Sequence, residues 1–90
     1  MDMSASAQNK ESLEPYASAV GKSIRVAMVK HNVRYEDLVE RLEAKGISYS
    51  SSNLRNKVSQ NMLPAALYLA IMQCITEQNE LIVELPENSK

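Results

Sequence analysis

Tyr35–Ser59, YEDLVERLEAKGISYSSSNLRNKVS, holds two amphipathic segments and the turn between them, and the fold follows from how it is read. Val33, Leu38, Val39 and Leu42 make one apolar stripe, with Glu36, Asp37, Glu40, Arg41 and Glu43 facing outward around it. The spacing predicts a helix over Tyr35–Lys45. Acids in its first turn and Lys45 in its last suit the helix dipole, and Gly46 ends it. Ile47 is followed by Ser48, Tyr49, Ser50, Ser51 and Ser52, a run rich in side chains that cap a helix by accepting a backbone N–H bond. A short third helix begins in that run. Leu54 and Val58 are its i, i+4 anchors, which leaves Ser52, Asn53, Arg55, Asn56 and Ser59 on its other faces.

Upstream, Ala17, Val20, Gly21, Ile24, Met28 and His31 recur at helical spacing. They predict a helix from Pro15, a residue suited to a first turn, to His31, with Asn32 as a left-handed stop. Lys22, Arg25 and Lys30 lie on its opposite face. Residues 1–14 contain few large apolar side chains, so they are expected to form a disordered arm. Downstream, Gln60 and Asn61 make a turn, and Pro64 starts the run Leu63–Ile75, which is apolar on nearly all sides. That pattern predicts a helix buried all round, partly by the domain and partly by a second subunit. Leu81, Val83 and Leu85 alternate with Ile82 and Glu84 between Asn79 and Pro86, which is a short strand signal. An unpaired edge invites the same strand of a second copy. The expected dimer interface is therefore Leu67, Ile71, Leu81, Val83 and Leu85. The domain plan is an arm over 1–14, a helical domain over 15–78, and a strand with an acidic tail over 79–90.

The chain has 90 residues, 44% of them hydrophobic and 23% charged, a globular balance with one modest core. Its formal net charge of −1 conceals a basic middle: between Lys22 and Met62 eight lysines and arginines face four acids, and both flanks are acidic. A phosphate backbone suits that middle. Several chemistries lack their parts. His31 is the only histidine, near a helix end, and no base stands at a recognisable spacing from a serine nucleophile, so no enzyme is expected. Cys74 is the only cysteine and sits in an apolar run, where it packs; neither a disulfide nor a cysteine-paired zinc site is expected, and no other metal or cofactor. Two glycines cannot build a glycine-rich phosphate loop. No apolar run approaches the roughly 18 residues of a membrane span, and no basic start precedes an apolar stretch, so a cytoplasmic protein is expected.

Tyr35, Asp37 and Leu38 in the second helix, Gly46 and Ile47 in the turn, and Asn53-Leu54-Arg55-Asn56-Lys57 followed by Val58 and Ser59 carry a resemblance. The segment Gly21–Ile75 resembles the repressor-like helix-turn-helix superfamily, and more closely a small bacterial family of uncharacterised domains with these residues. Glu43, Ala44 and Lys45 stand between Leu42 and Gly46, where the wider superfamily has a tighter turn. The resemblance implies a mainly α domain of four to five helices with a short C-terminal strand, acting as a regulator with Ser51, Ser52, Arg55, Asn56 and Lys57 facing DNA. The residues agree in kind. Arginine can bond guanine bidentately, asparagine can do so with adenine, and serine can bond a base or a phosphate. The expected DNA-binding set is Ser51, Ser52, Asn53, Arg55, Asn56 and Lys57 on the third helix, with Lys22 and Arg25 on the first. The expected partner is double-stranded DNA, read by a homodimer as a palindrome. The alternative is a protein-interaction module, an adaptor, antitoxin-like protein or inhibitor, that grips a protein partner with the helical domain and the C-terminal strand.

Overall fold

A computed structural model describes residues 3–60 and 63–77, and of residues 3–8 the backbone alone. Among these residues the chain is mainly helical: α1 Met3–His31, α2 Tyr35–Ala44, α3 Ser51–Ser59 and α4 Ala65–Thr76. The predicted strand around Leu81, Val83 and Leu85 lies outside the described residues. α1 packs on α3 and α4, and α2 packs on the same two helices, so α3 and α4 are each held between α1 and α2. Ile24, Leu38, Leu42, Leu54, Val58 and Ile71 are the largest fully buried side chains, and all four helices contribute to this core.

The helix ends are set by local chemistry. Asn32 has φ +55°, and the N–H groups of Asn32 and Val33 donate to the carbonyls of Val29 and Met28, while Val33 and Met28 are both buried. Gly46 has φ +82° and repeats the pattern at the end of α2: its N–H donates to Glu43, and that of Ile47 to Leu42. Both are reversals in which a left-handed residue turns the chain and an apolar residue beyond it folds back onto the last turn. A Cβ built on Gly46 meets no atom within 4 Å, so only backbone strain opposes a side chain there. Gly46→Ala is expected to cost about 1–2 kcal/mol, and Gly46→Asn less, because asparagine tolerates this conformation. Urea denaturation of the two variants checks the order; equal midpoints for both and for the parent would mean that α2 does not need this turn.

One expectation is corrected. The first helix does not start at Pro15. It starts at Met3, and the segment expected to be a disordered arm is helical from there. Residues 3–14 contain neither glycine nor proline and include Ala5, Ala7, Gln8, Lys10, Glu11, Leu13 and Glu14, all good helix formers. Residues 9–14 are exposed, so propensity rather than burial holds this extension, and Pro15 deprives it of one internal hydrogen bond. Among the described residues of the single chain, α4 is covered on one side. Leu67, Tyr68, Ile71, Met72, Cys74 and Ile75 face the core, but Ala65, Ala66 and Leu69 are exposed, Leu69 by 53%. The reason is a shortage of neighbours: α1 and α2 are the helices that pack on α4, and they cover it on one side only.

Polar contacts fix how α4 sits. Ser23 Oγ donates to the carbonyl of Val20 at 2.9 Å, so the Tyr68 hydroxyl, 3.1 Å away, donates to Ser23 and ties α4 to α1. On the other side Arg41 Nη1 donates to the carbonyl of Cys74 at 2.7 Å and lies 3.9 Å from Glu77 Oε1, and Lys45 Nζ donates to Gln73 Oε1 at 3.2 Å. α2 thus lays two cations on the negative end of α4, whose last carbonyls need donors. Burial pushes the Cys74 thiol up, against the pull of Lys45 and Arg41, so it remains an inert packing thiol.

Candidate nucleic-acid interface

α3 is placed by its two anchors. Leu54 and Val58 are fully buried, and Ser50 caps the first turn by accepting the Asn53 N–H at 3.1 Å. Ser52, Asn53, Arg55, Asn56 and Ser59 are exposed, and Ser51 is half-buried. Successive residues of a helix turn by 100°, so Ser52, Asn56 and Ser59 point away from the Leu54–Val58 edge while Arg55 and Lys57 leave on opposite flanks. The side-chain contacts agree with that geometry. The Arg55 guanidinium lies 5.0 Å from the centre of the Tyr35 ring, and the Lys57 ammonium 5.8 Å from that of Tyr49. Such contacts are worth about 0.5–1 kcal/mol at exposed sites, enough to bias a side chain's direction.

Beside Arg55 an open groove of about 570 Å³ runs between the end of α1, the start of α2 and α3. Its lining includes Arg25, Arg34 and Arg55, with Asn32, Tyr35 and Glu36, and the buried Met28 and Val33. Three arginines, from α1, the N-cap of α2 and α3, thus line one groove with one acid, Glu36. None of the three is ion-paired with an acid among the described residues, where the only such pair is Arg41 with Glu77. Asp37 is outside the groove lining: its Oδ2 accepts the Arg34 backbone N–H at 2.9 Å and closes the start of α2.

The expected site residues therefore separate. Arg25 and Arg55 meet in the groove. Ser52, Asn53 and Asn56 are exposed on α3 outside the groove lining. Lys57 leaves on the far flank, half-buried over Tyr49, and Lys22 is exposed on α1 outside the groove lining. Leu67 and Ile71 are 8% and 0% exposed inside the chain's own core, which leaves them no face for a second copy; Leu69 is the apolar residue that α4 presents outward. Leu81, Val83 and Leu85 lie outside the described residues. Sequence reasoning does not single out Arg34 and Tyr35 as site residues. Their signal is a cation and an aromatic ring at the mouth of a predicted helix, but only packing brings them to Arg55.

The described residues define a small, mainly helical domain with an arginine-lined groove and a polar, exposed third helix. The chain belongs to the family described as Domain of unknown function (DUF6471), which matches residues 16–79. No curated protein and no solved structure matches it. No helix among the described residues is long and apolar enough to cross a membrane.

Proposed function

We propose that this chain is a sequence-specific DNA-binding domain of helix-turn-helix type, serving as a cytoplasmic, homodimeric regulator of transcription. α2 and α3 are the motif, and α3 is the helix that enters the major groove. One observation carries the reading: α3 exposes Ser52, Asn53 and Asn56 and also sends Arg55 into the lining of a groove with two further arginines and one acid. Base-edge donors and acceptors next to phosphate-binding cations are the two components that sequence-specific binding requires. The dimer rests on the alternation of Leu81, Val83 and Leu85 in the sequence, with Leu67 and Ile71 assigned to the core.

Selection of bound duplexes from a random pool at low salt tests the proposal. It is expected to enrich a palindrome with half-sites about one helical turn apart. Asn56→Ala is expected to reduce discrimination at one position of each half-site by about 1–3 kcal/mol, roughly 5- to 150-fold. A pool that emerges unenriched, with no duplex retained by the parent protein, would end this reading. In that event exposed Tyr16, Val26 and Leu69 favour the second one, an adaptor, antitoxin-like protein or inhibitor that docks a protein partner on these apolar side chains.

A further inference from the structure

Resting on the DNA-binding reading, we infer that Arg25, Arg34 and Arg55 form a clamp for one phosphate group, and that Arg55, although it belongs to α3, grips the backbone and does not read a base.

Arg55 is the residue of α3 best equipped to bond guanine, and sequence alone assigns it that task. Its surroundings assign another. The guanidinium lies with its carbon 5.0 Å from the Tyr35 ring centre, at the first residue of α2, so it is drawn toward the flank of α3 and away from the outward Ser52–Asn56 face. It lines the groove together with Arg25 and Arg34. A cation–π contact uses none of the guanidinium's N–H donors in a hydrogen bond, and its planar fork fits two oxygens of a phosphate. Tyr35 is thus a positioning residue for Arg55.

The charge balance of the groove points to the same ligand. Arg25 comes from α1, Arg34 from the residue capping α2, and Arg55 from α3, and Glu36 is the only carboxylate among the lining residues. Like charges gathered within a Debye length repel one another unless an anion stands between them. The groove is open, its lining includes the buried Met28 and Val33, and α3 contributes Arg55 to it. A phosphodiester on the rim of a major groove occupied by α3 would meet all three cations. Free phosphate has the same chemistry, so the two sources need separate measurements.

The tests use the full chain. In an NMR titration, inorganic phosphate alone is expected to shift signals of Arg25, Arg34, Tyr35 and Arg55 while leaving Lys22 and Lys57 unmoved. Arg55→Gln should abolish that response, and Glu36→Gln should strengthen it. Shifts spread evenly over all lysines and arginines, or none at all, would overturn the clamp. With duplex DNA, Arg55→Gln should weaken every sequence by the same factor and lower the salt slope by about 0.9 for each phosphate that the variant leaves unneutralised. A loss confined to one base position with the slope unchanged would make Arg55 a base reader, and the inference would fail while the DNA reading stood. Local phosphate shifts without any duplex binding by the parent protein would do the reverse: the clamp would stand as a site for free phosphate, and the DNA reading would fall.

Discussion

Leu54→Ala is expected to lower the free energy of unfolding by about 2–5 kcal/mol, the range for truncating a fully buried leucine that leaves a cavity. Leu54 is 0% exposed, and α3 has only Leu54 and Val58 to hold it against α1 and α2. Nothing else on this nine-residue helix reaches the core, so the variant loses half of its anchorage. A domain of this size holds only about 5–10 kcal/mol, so the loss is a large fraction of the whole. At about 4–8 °C per kcal/mol the thermal midpoint should fall by roughly 10–30 °C. Calorimetry checks it, with Leu69→Ala as the control: Leu69 is an apolar residue half exposed on α4, and its loss should cost less than about 1 kcal/mol. Comparable midpoints for the two variants would contradict the placement of α3 on the core.

The second large effect is on salt dependence. If each protomer of a dimer clamps one backbone phosphate with Arg25, Arg34 and Arg55, two phosphates are neutralised, and these grooves contribute a slope of about −2 to log K against log salt. Between 50 and 200 mM salt this is a loss of roughly tenfold in affinity. Fluorescence anisotropy on a selected duplex across that range measures it directly. The polar contacts of Ser52, Asn53 and Asn56 with bases release few ions, so they contribute sequence preference and little slope. A slope near zero at measurable affinity would remove the arginine groove from the interface. A protein partner held on apolar side chains such as Tyr16, Val26 and Leu69 would give such weak dependence.

Both effects depend on residues that differ in how far the sequence reveals them. Leu54 and Val58 are legible as anchors because an i, i+4 apolar pair in a polar helix has only one way to face a core. The Asn32 and Gly46 stops are legible for a similar reason: a left-handed residue at the end of an amphipathic run is a local event. The start of α1 is less so. Pro15 is a good first-turn residue, yet the helix formers before it continue the helix without any core to bury, and the two signals compete within a few residues.

The exposed side of α4 shows a different limit. A run of apolar residues on all sides of a helix records how apolar the helix is, and not how many neighbours the chain can place around it. α1 and α2 cover Leu67, Tyr68 and Ile71, and Leu69 is left outside. By itself, then, the sequence determined the approximate positions of α2 to α4, the stops at Asn32 and Gly46, the capping serine run before α3, the core-facing side of α3, and its polar outer face, because these follow from the repeat of the helix and the chemistry of adjacent residues. Only the tertiary structure decided that Leu67 and Ile71 belong to the chain's own core, that Lys57 leaves α3 toward Tyr49, and that Arg55 meets Tyr35, Arg34 and Arg25. The physical reason is separation along the chain. Arg25 and Arg55 are thirty residues apart, and no local periodicity states which flank of α3 the packing of α1 and α2 will turn toward them.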